Sequence, residues 1–176
     1  MPTPIPEKLN DFAVYLEGQA VMLGMATVDL PELQAMTEET SGAGIAGKVE
    51  NPVVGHYDSM KLKLNWRTVT SKVTALAAPK VHALDLRGAV QVNDAAEGNI
   101  KHTGLKIIAR GMPVNTGLGK FETGKMMDNG TELELSYLKI SIDNEPVVEI
   151  DKYNHVCTIH GTDFLKDVRE ILGINQ

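Results

Sequence analysis

Apolar and polar residues alternate with period two along much of the chain, the mark of strands with one buried face. The clearest case is Met60, Leu62, Leu64 and Trp66, interleaved with Lys61, Lys63, Asn65 and Arg67. Phe12, Val14 and Leu16 alternate in the same way with Asp11, Ala13 and Tyr15. A turn at Glu17-Gly18-Gln19 and a return strand over residues 20–25 then predict a hairpin across residues 10–28. His82, Leu84 and Leu86 mark another strand, and Leu105, Ile107 and Ala109 keep phase within residues 104–112. Over residues 131–142 the phase flips: Leu133, Leu135 and Tyr137 share one face, then Leu138, Ile140 and Ile142 share the other. That predicts a bulge at Tyr137-Leu138, or a strand covered on both faces. Asp143-Asn144-Glu145-Pro146 turns the chain back into a strand over residues 147–151, a second hairpin, and residues 153–159 read as one more strand.

Two segments carry helical signals. Residues 71–78 are small and helix-compatible, with Ser71 as N-cap and Pro79 as stop. Near the end, Thr162-Asp163 reads as a cap. Phe164, Leu165, Val168, Ile171 and Leu172 then fall on one helical face, Lys166, Asp167, Arg169 and Glu170 on the other, and Gly173 occupies the C′ position. Residues 111–130 read as loops around a short strand. The fold class that follows is mainly β: two packed antiparallel sheets, sandwich- or barrel-like, with a short internal helix and a C-terminal helix, in a single domain over residues 1–176.

Residues 30–59 fit neither pattern. They contain Pro31, Gly42, Gly44, Gly47, Pro52 and Gly55, and Ser41-Gly42-Ala43-Gly44-Ile45-Ala46-Gly47 is too small to pack by itself. A loop this long inside a compact domain is usually functional or orders on binding. Ile45, Val49, Val53 and Val54 prefer burial, which points to a partner surface.

Composition narrows the function. The 176 residues hold 17 Lys and Arg against 23 Asp and Glu, a net charge of −6. A pI near 5.3 argues against holding nucleic acid by its phosphates, which needs a basic stripe. A chain of this length buries roughly 70% of its unfolded surface, enough for a core without metal or disulfide. The one cysteine, Cys157, permits no intramolecular disulfide and no multi-cysteine metal site. Residues 1–6 lack the basic and apolar regions of a signal peptide, and no run reaches the roughly 18 apolar residues of a membrane span. A cytoplasmic origin and no membrane partner are therefore expected.

No catalytic constellation emerges. His155, Cys157 and His160 cluster in sequence, but a zinc site needs three or four converging ligands, and a buried Cys packs as a small hydrophobe. Cys157 as a nucleophile would need a base and a cation or helix N-terminus to lower its pKa, and no signature surrounds it. Gly42, Gly44 and Gly47 match the letter of a dinucleotide fingerprint, yet follow no strand-to-helix context. Glu132 and Glu134 lie about 7 Å apart on one strand face, and a solvated acidic face is the commoner use of such a pair. Lys61, Lys63 and Arg67 read as a wet face too. If their strand neighbours that of Glu132 and Glu134, the charges can pair across the sheet.

The order of short motifs then resembles the major tail tube protein family of contractile-tailed bacteriophages. Pro6-Glu7-Lys8-Leu9 with Phe12-Ala13-Val14-Tyr15-Leu16-Glu17-Gly18 resembles the family's opening strand and turn. Leu30-Pro31-Glu32-Leu33, Thr37-Glu38-Glu39 and Gly42-Ala43-Gly44-Ile45-Ala46-Gly47 resemble its Leu-Pro segment and glycine-rich loop. Residues 143–151 resemble its late hairpin. Ile159-His160-Gly161-Thr162-Asp163 and Val168-Arg169-Glu170-Ile171-Leu172-Gly173 resemble its closing helix. The resemblance implies a structural virion protein rather than an enzyme, with no cofactor and no metal. It implies hexameric rings stacked into the inner tube of a contractile tail, the conduit for DNA ejection, assembled in the host bacterial cytoplasm.

The implied partners are further copies of the chain, the tail sheath protein, the tape measure protein in the lumen, and baseplate and tail terminator proteins. DNA would pass through without specific binding. An acidic chain around a bore would repel phosphates. Ring-to-ring contact is expected at the long inter-ring loop of about residues 30–59, through Ser41, Gly42, Gly44, Ile45, Gly47, Val49, Val53 and Val54. The outer, sheath-facing surface is expected at Lys166, Asp167, Arg169 and Glu170. The tube of a phage-tail-like bacteriocin or secretion machine is a neighbouring reading. A small β-barrel binding an apolar ligand is the alternative from another class.

Overall fold

A computed structural model describes residues 4–16, 18, 25–94 and 98–174, with residues 25 and 26 described by backbone alone. Among these residues the strands are β1 (Ile5–Leu16), β2 (Met25–Asp29), β3 (Ala35–Ser41), β4 (Lys48–Tyr57), β5 (Lys61–Trp66), β6 (His82–Asp94), β7 (Asn99–Gly117), β8 (Asn129–Ile142), β9 (Glu145–Asp151), β10 (Val156–Ile159) and β11 (Thr162–Asp163). Two short helices, α1 (Ser71–Ala75) and α2 (Lys166–Leu172), complete the set. The mainly-β reading with one internal and one terminal helix holds.

Nine strands form one antiparallel sheet ordered β1-β6-β7-β8-β9-β10-β11, with β5 and β2 branching from β8. β3 and β4 form a second, two-stranded sheet. The branch lies at β8. Its first half pairs with β5, from Lys61↔Glu134 to Trp66↔Asn129, and its second half pairs with β9, from Tyr137↔Asp151 onward. Between them sits the bulge that the phase flip announces, one residue earlier than expected. Tyr137 faces Arg110 and Leu135 faces Gly111, so Ser136 has no place in the ladder with β7. The Ser136 hydroxyl donates to the Arg110 carbonyl at 3.4 Å, and its own carbonyl accepts the Lys152 N–H at 3.0 Å. This extra residue restores the phase, so that Leu133, Leu135 and Leu138 are all buried in one core.

β5 and β6 are not neighbours in the ladder, yet Met60, Leu62, Leu64 and Trp66 pack in one cluster with Leu84, Leu86, Ile107 and Ala109. The large sheet therefore curls over itself, and α1 joins the same core through Val73 and the adjoining Leu76. The Trp66 indole N–H donates to Thr131 Oγ1 at 3.2 Å, which satisfies its buried polar end. The interior is filled by large side chains.

Several expectations are corrected. β1 and β2 are not partners in a hairpin: β1 pairs with β6 and β2 with β5. Glu17, Gln19 and residues 20–24 of the expected turn and return strand lie outside the described residues. The long segment over residues 30–59 is largely a β-hairpin, not a loop. α1 covers residues 71–75 rather than 71–78, and Thr70, not Ser71, is the cap, its hydroxyl accepting the Val73 N–H at 3.3 Å. β7 runs unbroken to Gly117, past Pro113 and a register shift before Asn115, so the loop is confined to residues 118–128. The strand expected over residues 153–159 starts only at Val156, because Asp151 Oδ1 accepts the Tyr153 and Asn154 N–H groups and holds a turn there. Thr162 and Asp163 form β11 rather than a helix cap, and α2 begins at Lys166 without a side-chain cap. Asp143 and Asn144, with φ of 49° and 70°, make the tight turn between β8 and β9.

Gly111 marks the closest backbone approach beside the bulge: a Cβ there would stand 2.3 Å from the Glu134 carbonyl oxygen. Gly111→Ala is expected to destabilise the fold by about 1–3 kcal/mol, the usual cost of overpacking. Urea unfolding measures it, and an unchanged midpoint would contradict the tight register.

Candidate assembly interface

The β3–β4 hairpin is an arm. Apart from Ala35 at its root, β3 is exposed along its whole length, as is β4 from Lys48 to Val54. Both faces of the arm thus meet solvent, although an isolated two-stranded hairpin is marginal in water. Its own polar contacts are few. Lys48 pairs with Glu39 at 2.7 Å, the Thr37 hydroxyl donates to Glu50 Oε1 at 2.5 Å, and Asn51 Nδ2 donates to Thr40 Oγ1 at 3.1 Å. Glu39 and Glu50 stand directly opposite each other, a like-charge pair that Lys48 relieves.

The residues expected to make ring-to-ring contact all lie on this arm. Gly42, Gly44 and Gly47 take positive φ at the tip between Ser41 and Lys48, and Ile45 N–H donates to the Gly42 carbonyl at 3.1 Å. Ile45 and Val49 are exposed. Val53 and Val54 lie in a wide bulge, because Ala35 faces Tyr57 while Thr37 faces Pro52. Val54 is 62% exposed.

The root of the arm is clamped. Asp58 N–H donates to the Gln34 carbonyl at 2.9 Å, and the Lys152 ammonium to the Asp58 carbonyl at 2.7 Å. Gly55, at φ +72°, lies under the Leu165 side chain, where a Cβ would come within 2.6 Å of Leu165 Cγ. Tyr57 Oη is 3.9 Å from Cys157 Sγ, and burial, then the thiol, pushes the Tyr57 hydroxyl above its ordinary pKa. Cys157 is buried, while His155 and His160, at φ of 50° and 47°, occupy the turns at either end of β10. Cys157 thus packs as a small hydrophobe at this root. Among the described residues no three His, Cys, Asp or Glu side chains gather as a metal site.

The apolar face expected of the terminal helix is not buried. Leu165 is buried, but Phe164, Val168, Leu172 and Ile174 are exposed, and Ile171 is 85% exposed. Of the four charged residues expected to face outward, Arg169 turns back. Its guanidinium pairs with the Asp163 carboxylate, and Nη1 donates to the His155 carbonyl at 2.7 Å. Lys166 and Glu170 pair at 3.9 Å on the exposed face, where Asp167 also lies.

Two apolar surfaces escaped the sequence reading. Phe121, 95% exposed, crowns the loop over residues 118–128. An apolar cleft of about 100 Å³ opens between β1, β2, β6 and β7, lined by Leu9, Phe12, Val28, Leu30, Leu86 and Ile107 among others. Lone aromatic and leucine positions give no periodic signal of exposure.

The expected cross-sheet charge pairing is present with shifted partners. β5 and β8 are neighbours, and Lys61 pairs diagonally with Glu132 at 3.0 Å. Glu134 instead accepts from the Ser59 hydroxyl and the Met60 N–H and lies 3.6 Å from the Lys152 ammonium.

Comparison with known proteins bears on what these surfaces meet. The family model described as phage tail tube protein FII matches residues 6–173. The tail tube protein of Escherichia phage P2 is 27% identical over 176 residues, covering 97% of this chain and 99% of that protein. A chain in the cryo-microscopy structure of an extracellular contractile injection system, described as the PVC sheath/tube terminator in the extended state, superposes with a TM-score of 0.52 at 12% identity. That match covers 77% of this chain and 96% of the other, and it extends the likeness in fold.

The Asp163–Arg169 pair fixes where α2 leaves the body. Hydrogen bonding from Arg169 holds the Asp163 carboxyl below its ordinary value of 3.8, outweighing the effect of burial, and the Leu165 N–H adds to it. A carboxylate depressed in the folded state contributes stability above its unfolded value, and that contribution is lost as pH falls through the folded value. Protection factors for hydrogen exchange in residues 164–172, taken against the intrinsic rate at each pH, should therefore fall as pH drops below the ordinary aspartate range. Asp163→Asn should show low protection there at neutral pH already, and matching protection-versus-pH profiles for the two proteins would count against the clamp.

Proposed function

The chain belongs to the phage tail tube protein FII family, a structural family, and we propose that it is the subunit of hexameric rings that stack into the inner tube of a contractile tail. The observation that carries this reading is the β3–β4 arm, exposed on both faces and bearing Met36, Ile45, Val49, Val53 and Val54 uncovered. Exposed apolar patches of this kind mark interaction surfaces. An arm that one chain cannot cover is covered when the next ring receives it.

Ring closure is a heterologous contact that ends by rotation, and it removes open strand edges. β1 is bonded on one side only, to β6, and β2 on one side only, to β5, among the described residues. In this reading the arm, through Ser41, Gly42, Gly44, Ile45, Gly47, Val49, Val53 and Val54, makes the ring-to-ring contact. The exposed face of α2, with Lys166, Asp167 and Glu170, looks outward to the sheath. The tape measure protein and then DNA occupy the bore, and terminator and baseplate proteins close the ends. The subunit assembles in the host bacterial cytoplasm and resides in the virion.

Negative-stain microscopy and sedimentation of the purified chain test the reading. Tubes of uniform width are expected, and a monomer at every concentration would overturn it. Removing residues 41–47 should abolish long tubes while leaving the fold intact by circular dichroism. Val53→Asp with Val54→Asp should do the same, and tubes of normal length from both variants would remove the arm from the contact.

A further inference from the structure

β5 has a different neighbour at each end. At its start lies the root of the arm, which ends at Tyr57, and the Leu135 N–H donates to the Met60 carbonyl at 2.8 Å. Past its finish, the Met127 N–H donates to the Arg67 carbonyl at 3.0 Å, and the Thr68 hydroxyl lies 3.4 Å from Met127 Sδ. That bond ties the connection between β5 and β6, residues 67–81, to the connection between β7 and β8, residues 118–128. The length of β5, roughly 17 Å at strand rise, separates the root of the arm from this far end.

The two ends carry opposite charge. Arm residues 35–57 hold Glu38, Glu39 and Glu50 against Lys48, a net −2. The two connections at the far end hold Arg67, Lys72, Lys80, Lys120 and Lys125 against Glu122 and Asp128, a net +3 in a chain whose total is −6. Lys125 pairs with Glu122 at 2.5 Å, as Lys48 does with Glu39 at 2.7 Å. Arg67, Lys72 and Lys120 at the far end, and Glu38 on the arm, are exposed and make no ion pair among the described residues. Both ends are also apolar. Against the exposed Ile45, Val49, Val53 and Val54 of the arm, the far end exposes Leu118, Phe121 and Met126. A cleft of about 380 Å³ opens there between Phe121 and Val69, with Leu118, Lys120 and Met127 in its wall. Phe121 is 95% exposed and Val54 62%, so the two ends do not cover each other within one chain.

We propose that the far end, residues 67–81 with 118–128, receives the arm of a second copy of this chain. An aliphatic side chain of the arm seats beside Phe121, and the arm's carboxylates lie against Arg67, Lys72 and Lys120. The inference rests on the tube reading, in which the arm reaches the next ring, and it names the surface that the arm meets there. Charge disfavours the symmetric alternatives, because arm against arm and far end against far end each juxtapose like charges. Arm against far end is attractive, so each copy gives at one end of β5 and receives at the other. Such a heterologous contact repeats without limit where rotation does not close it, which is the form that stacking needs. The apolar side chains supply the buried area, with Phe121 as its aromatic anchor, and the charges set the direction.

Charge reversal tests it. Glu38→Lys with Glu50→Lys turns the arm from −2 to +2, and Arg67→Glu with Lys72→Glu and Lys120→Glu turns the far end from +3 to −3. Each variant alone, with its fold intact by circular dichroism, should lower the yield of tubes by at least about tenfold. An equimolar mixture of the two should form tubes again, because each offers an arm of the sign that the other's far end attracts. Normal tubes from either variant alone, or no recovery in the mixture of folded chains, overturns the proposal. A second measurement needs no change of charge. Ile45→Cys chains mixed with Phe121→Cys chains and a short bis-maleimide should give a cross-linked pair, less of it at high salt, while the buried Cys157 stays out of reach. Ile100→Cys, in the first turn of β7 at its other end, should not replace Phe121→Cys. Absence of the pair, or equal yield with Ile100→Cys, also overturns the proposal. If the unaltered chain forms no tubes, the tube reading fails separately, and the cross-linked pair at high protein concentration still reads the contact.

Discussion

A strand has two hydrogen-bonding edges, and β8 divides one of them between two partners. Along one edge it pairs with β7 for nearly its whole length. Along the other, β5 occupies the first half and β9 the second. The single extra residue at Ser136 makes this division possible, because it resets which side chains face inward just where the partner changes. Without it, Leu133 and Leu135 would face one way and Leu138 the other. The burial of both halves of β8 in one interior follows from that one residue.

The same economy leaves much unburied. The core takes its large side chains from β1, β5–β9 and α1, and nothing of the arm beyond its root is drawn in. α2 contributes none of its own residues to the interior, and its buried neighbour Leu165 lies over the arm's root instead. The molecule is therefore two surfaces of opposite character around one interior. The arm, the terminal helix and the apolar cleft are surfaces that water tolerates poorly. On the outer face of the large sheet, Asp85 pairs with Arg87 and Lys106, and Glu149 with Lys139.

Where a strand has one wet and one dry face, its pattern is legible in the sequence, as in β5, β6 and the bulged β8. The arm was illegible for the converse reason: Thr37, Glu38, Glu39 and Thr40 run opposite Pro52, Asn51, Glu50 and Val49, all of them exposed, so neither strand has a buried face to set an alternation. Partner choice was also hidden, since β1 pairs with a strand some 70 residues away and no local pattern encodes that. The glycine and valine content did single out residues 41–54, whose Ile45, Val49, Val53 and Val54 are exposed, although it could not show that a hairpin carries them. Arg169 looked like a member of a charged helical face, because period alone cannot see that Asp163 and the His155 carbonyl lie within its reach. Among the charge pairs of the large sheet, Arg87 and Asp85 stand two residues apart on β6, whereas Lys106 meets Asp85 only through the register of β6 with β7.

Gly55 and Leu165 give the molecule a mechanical property. The base of the arm and the first residue before α2 are in steric contact, with no space for even a methyl group between them. Any side chain at Gly55 would therefore have to displace Leu165, the residue from which α2 departs, so the seat of the arm and the start of the helix are held by one steric contact.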